Sequence, residues 1–177
     1  NDPLDCDGDP TPCIASFASD QILALQRVYE LRNSFAIAAV NMSLGDEQRY
    51  TSNCDLEEPA LKAVIDNLRS LSVATVIASG NNYYTDGISN PACISTAVSV
   101  GSTLDISPFG VSAFSNSSSF LTLLAPGSSI TSVTPGANTA TMSGTSQAAP
   151  HVAGGFALLK SAFPQATVNQ VLDAMVS

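Results

Sequence analysis

The sequence predicts an α/β fold: a mostly parallel sheet with helices on both faces. Three observations carry this. Apolar runs without alternation, such as Phe35–Leu44 and Val73–Ala78, suit strands buried on both faces. Segments of helical periodicity fall between them. The hydrophobic fraction is 45% over 177 residues, enough for one real core, and no internal repeat or domain break is visible. Residues 1–177 therefore read as a single domain.

Residues 1–17 form a loop rich in Pro and Asp. Asp5-Cys6-Asp7-Gly8-Asp9 has the look of a calcium loop. It fails the EF-hand pattern, because the glycine falls at the fourth position and position 16 is Ser. Ser19-Asp20 are read as the cap of a helix over 20–32, with Ile22, Leu25, Val28, Tyr29 and Leu31 at helical spacing. The strand at 35–44 ends at Gly45. Pro59 opens a second helix to about Leu71, and Val73–Ala78 is the next strand, ending in Ser79-Gly80-Asn81-Asn82. This is a βαβ unit. Ala97–Gly101, Leu121–Gly127, Ser129–Val133 and Thr139–Ser143 are further short strands, with a serine-rich loop at 112–119. Helices are expected over 145–162 and 167–176.

Composition narrows the class. Six Lys plus Arg stand against fifteen Asp plus Glu, a formal net charge of −9. That disfavours nucleic acid and anionic membranes as partners. No apolar run has the length of a membrane span. The sequence shows neither an initiator Met nor a signal peptide, as expected of a processed or excised piece. The four cysteines, Cys6, Cys13, Cys54 and Cys93, lack the Cys-x-x-Cys spacing of a zinc site. They read as two disulfides, Cys6–Cys13 and Cys54–Cys93, formed in an oxidising compartment; the alternative is four reduced, buried thiols. No cofactor and no metal site is read from the sequence.

The chain is organised around Gly144-Thr145-Ser146-Gln147-Ala148-Ala149-Pro150-His151-Val152-Ala153-Gly154. A loop here becomes a helix, with a serine where helix-start N–H groups are unpaired and an anion can be held. Pro150 is placed about one turn on, where a missing N–H is best tolerated. On spacing alone, Ser146 reads first as an N-cap, since capping serines far outnumber catalytic ones. The segment closely resembles the nucleophile signature of the subtilisin-like serine proteases, the subtilases. Gln147 is its one departure, where the family usually carries Met or another apolar residue. Ala148 argues against an α/β-hydrolase elbow, which needs a second Gly there.

The resemblance implies a set of roles. Ser146 is the nucleophile. Asn81, in Ala-Ser-Gly-Asn, matches the oxyanion asparagine, whose side-chain N–H would act with the Ser146 backbone N–H. Asn41-Met42-Ser43-Leu44-Gly45 matches the strand whose backbone, around Ser43, Leu44 and Gly45, pairs with extended substrate. Ala78, Ser79 and Gly80 match the other wall of a roomy pocket for an apolar side chain. Strand ends and an ordinary left-handed Asn are the plain readings of the same residues. His151, the only histidine, lies five residues after Ser146, about 140° around the helix axis, and would point away from the hydroxyl.

No His-Gly-Thr-His segment and no matching aspartate occur. The resemblance thus covers nearly the whole chain but only the C-terminal part of a subtilase catalytic domain, an incomplete subtilisin-like fold lacking its first strands. It implies a secreted serine endopeptidase acting on polypeptides, with base and orienting Asp upstream and little activity in this chain alone. The strand at 35–44 would then be an open sheet edge seeking a partner, the missing part of its own domain or another copy. The alternatives are a natively inactive, secreted binding module of subtilase type, or a disulfide-stapled domain in which Ser146 is only a cap.

Overall fold

A computed structural model describes residues 15–106 and 109–177. The proposed Cys6–Cys13 pair and the acidic loop at 5–9 lie outside the described residues. Four parallel strands form the central sheet: β1 (Ala39–Met42), β2 (Ala74–Ala78), β3 (Val98–Thr103) and β4 (Leu123–Pro126), in the order β1-β2-β3-β4. The helices are α1 (Ala18–Leu31), α2 (Pro59–Ser70), α3 (Thr145–Ala162) and α4 (Val168–Val176). An antiparallel hairpin, β5 (Ile130–Thr134) with β6 (Asn138–Met142), leads into α3.

Both faces of the sheet are covered, which is why its strands carry apolar residues without alternation. On one face α3 lays Ala148, Ala149, Val152 and Phe156 against Val76, Ala78, Val98, Val100 and Ala125. On the other, Leu25 of α1 and Leu61, Ile65 and Leu68 of α2 pack with Ile77, Ile88 and Ile94. The small residues of α3 let it approach the sheet closely. Phe156, with no exposed surface, fills the space further along.

Three details depart from the sequence reading. The helix α1 starts earlier, at Ala18, with Phe17 at the N-cap and no side-chain cap. Ser19 and Asp20 lie within it, and Asp20 favours the positive helix start from the first turn. The first strand is four residues, not ten. Its pairing begins at Ala39 opposite Ala74, where β2 itself begins; Ala38 adds one bond, accepting from Ala74 N at 3.2 Å, and residues 35–37 lie beyond the end of the neighbouring strand, with Phe35 63% exposed. Pro150 sits inside α3, beyond its first turn. In an α-helix its missing N–H would have bonded the carbonyl of Ser146. The Ser43 hydroxyl takes that place, donating to Ser146 O at 2.8 Å.

Candidate active site

The chain leaves β1 and β2 at their carboxyl ends and enters α3 at the same edge of the sheet, the usual location of sites in open parallel sheets. The three segments singled out in the sequence meet there. Ser43, after β1, holds the first turn of α3 through Ser146 O and in turn accepts from Asn41 Nδ2 at 3.0 Å. Asn81, after β2, accepts two bonds at Oδ1, from Thr145 N at 2.9 Å and Thr145 Oγ1 at 3.0 Å. Gly80 N donates to the same Thr145 hydroxyl at 3.2 Å.

These bonds fix the orientation of the Asn81 amide. A backbone N–H can only donate, so the atom facing Thr145 N must be the amide oxygen. The Nδ2 group is thereby turned away from Thr145, on an exposed side chain beside the helix start. Ser146 is the second residue of α3 and half-buried; Gly144 is the N-cap, with no side-chain capping bond. The capping role open to Ser146 from spacing is therefore not the one it plays. Its hydroxyl stands at the positive end of an 18-residue helix, in a position that favours a developing negative charge.

The turn carrying Asn81 is heavily braced. Gly80 has φ +105°, and a Cβ there would lie 2.2 Å from Asn116 Nδ2 and 2.6 Å from Ser89 Oγ. Only glycine fits such a backbone in that space. Ser79 is fully buried and donates through Oγ to Asn116 O at 2.9 Å. Gly144, two residues before Ser146, is tied by its N–H to Gly127 O at 2.8 Å.

The pocket wall expected from Ala78 and Ser79 is not formed by their side chains. Ala78 faces the core under α3, and Ser79 bonds inward. Leu44 likewise packs into the core under α1 and α2. Gly45 is exposed, and a Cβ on it would stand 3.2 Å from Asn90 O. Asp46 joins the two exits: its N–H donates to Asn90 O at 3.0 Å and its carboxylate accepts from Asn90 N at 3.1 Å. Partial desolvation of its carboxyl in this clasp pushes Asp46, although the residue reaches the surface, above its ordinary value, against the backbone hydrogen bonds from Asn90 and Gln48 that pull it down. Behind this clasp, Tyr50 and Ile88 exchange backbone bonds at 3.0 Å, and a Cys54–Cys93 disulfide closes the two loops.

His151 does not reach the site. Its Nδ1 lies 2.9 Å from Gln147 O on its own helix, and the ring is exposed. Gln147, the one departure from the family signature in this segment, places its Nε2 3.9 Å from Met142 Sδ. Two contributors were not singled out in the sequence: Thr145, fully buried and bonded to Asn81, and the side chain of Ser43. Thr145 had a signal, as a hydroxyl beside the serine at a helix start. The task of Ser43 follows from Pro150, but only once the fold brings the two together.

The subtilase family model matches residues 17–177. The chain belongs to the subtilase family. It is 35% identical over 175 residues to an extracellular serine proteinase of Thermus sp. (strain Rt41A), covering 98% of this chain and 38% of that protein. It is 36% identical over 141 residues to subtilisin of Bacillus pumilus, covering 78% and 48% respectively. Among solved structures it is similar to a cold-adapted subtilisin-like serine proteinase, with TM-score 0.73 and 31% identity over 90% of this chain and 54% of that one. The chain thus spans about two fifths to a half of the length of these relatives.

Proposed function

We propose that this chain carries the nucleophile and oxyanion hole of a secreted serine endopeptidase, whose general base and orienting carboxylate come from outside these 177 residues. In this reading Ser146 Oγ attacks the scissile carbonyl and gives its proton to that base. The tetrahedral oxyanion accepts from Asn81 Nδ2 and the Ser146 N–H. Collapse expels the amine, protonated by the same base, and water releases the acyl group. The observation that supports the reading is the grip of Thr145 on Asn81 Oδ1, which turns Nδ2 away from Thr145 at the start of the helix that carries Ser146. A base from outside is required because the sole histidine, His151, is bonded back to its own helix. Backbone around Ser43–Gly45 would pair with extended substrate.

The Cys54–Cys93 bridge and the extracellular relative favour secretion. Among the described residues β1 pairs only with β2, so its outer edge is the natural seat for the remaining part of the domain or for a second copy. In the longer parent protein, Asn81→Ala should lower kcat on a peptide substrate by about 10²–10³-fold with little change in KM, and Ser146→Ala should abolish turnover. Removal of one such donor corresponds to about 3–4 kcal/mol of barrier; that range is calibrated on subtilisin, within this same family. An Asn81→Ala enzyme of unchanged kcat would refute the assignment.

A further inference from the structure

We infer that Asn116 is a positioning residue for the oxyanion hole, acting on substrate turnover only through Asn81. The inference rests on the reading of Asn81 as the oxyanion donor. Asn116 lies in the serine-rich loop between β3 and β4, and it is fully buried. Its side chain spends its hydrogen-bonding capacity on the turn that follows β2 and on the residue beneath it. Oδ1 accepts from Asn82 N at 2.8 Å and Tyr84 N at 3.2 Å. Nδ2 faces three acceptors: Ser79 O at 3.2 Å, Asn82 Oδ1 at 3.1 Å and Ser89 Oγ at 3.2 Å. Its backbone adds two more ties, with Asn116 N donating to Gly80 O at 2.9 Å and Asn116 O accepting from Ser79 Oγ at 2.9 Å.

Residues 79, 80, 82 and 84 are thus bonded to one buried amino acid, while Asn81 between them is exposed and reaches across to Thr145 instead. The positive φ of Gly80, with Asn116 Nδ2 in the space of a Cβ, belongs to the same arrangement. A buried amide with both ends engaged is costly to disturb, because each lost partner leaves an unpaired polar group. An oxyanion donor needs this kind of support: the hole works only if its N–H is already in place when the charge develops. Asn116 touches neither substrate nor Ser146 in this account; it sets where Asn81 Nδ2 stands.

The test is a double-mutant cycle in the complete parent enzyme, with peptide hydrolysis as readout. Asn116→Ala alone should lower kcat about 10- to 100-fold, the cost of a misplaced catalytic group, with KM changed by less than about twofold. In an Asn81→Ala background the same change should cost less than about threefold, since the group it positions is gone. Equal losses in both backgrounds, or no loss in either, overturn the inference. If Asn116→Ala does not fold, Ser89→Ala removes one acceptor of the amide more gently. Its smaller kcat loss should vanish equally when Asn81 is Ala, and a loss that persists there overturns the inference. A parent in which Asn81→Ala itself costs nothing overturns the reading of the site, and this inference with it.

Discussion

The turn after β2 and the turn after β1 leave the same edge of one sheet, and they are held in opposite ways. The β2 exit, residues 79–84, lies on fully buried Ser79 and Asn116 and is bonded inward at nearly every residue. The β1 exit, residues 43–48, is largely exposed, with Ser43, Gly45, Asp46 and Glu47 all on the surface. Its ties are few: the Ser43 hydroxyl to Ser146 O, the Asp46 clasp to Asn90, and Tyr84 Oη donating to Glu47 O at 2.7 Å. The difference teaches how the two walls divide their work. In the proposed reading the β2 exit carries the oxyanion donor, which must be in place before the charge forms, and a rigid wall suits that task. In the same reading the β1 exit receives substrate by backbone pairing, which needs free N–H and C=O groups, and an open wall suits that task.

The disulfide offers the strongest way to break this comparison. Cys54 belongs to the β1 loop and Cys93 to the β2 loop, so their bond couples the rigid wall to the open one. With a sequence separation of 39, the loop-entropy model gives about 4 kcal/mol of stabilisation. Replacing both by Ala should move the urea midpoint down accordingly. If the account is right, the lost protection from hydrogen exchange should fall mainly on residues 46–54, with Asn82 and Tyr84 still held by Asn116. Equal loss on both walls would mean that the disulfide, and not the buried amide, makes the β2 exit rigid.

Ser43→Ala sharpens the comparison at smaller scale. It removes the one side-chain bond, among the described residues, from the open wall to α3, and leaves Ser146 O to water. The expected cost is about 1 kcal/mol in unfolding free energy, because the lost bond is exposed and solvent replaces it. Turnover in the parent should change by no more than a few-fold. A loss as large as that of Asn81→Ala would show that the open wall, too, positions the chemistry.

Much of this was legible in the sequence, for physical reasons. Buried parallel strands read as apolar runs, so β1 to β4 and the helices between them were found, with Ser79-Gly80-Asn81 at a strand end and Ser146 at a helix start. Strand length was not legible at β1, because pairing depends on where β2 begins. The direction of the side chains was not legible at Ala78 and Ser79, because small residues look alike whether they line a cleft or pack a core; here both side chains point inward, so any wall they give a substrate is backbone. Asn116 was hidden among serines, since hydrogen bonds across 32 to 37 residues leave no local pattern. The role of Ser43 toward Ser146, 103 residues away, was hidden for the same reason.

The most direct test is covalent labelling of Ser146 by a fluorophosphonate probe, in this chain and in its longer parent, side by side. The account predicts rapid labelling of the parent, none in its Ser146→Ala variant, and labelling of the 177-residue chain slower by orders of magnitude, because nucleophile and oxyanion hole act without a base. Labelling of this chain at the parent's rate would contradict it, since a base would then have to come from within the chain or from a second copy. An unlabelled parent would contradict it from the other side and leave the fold as a binding module.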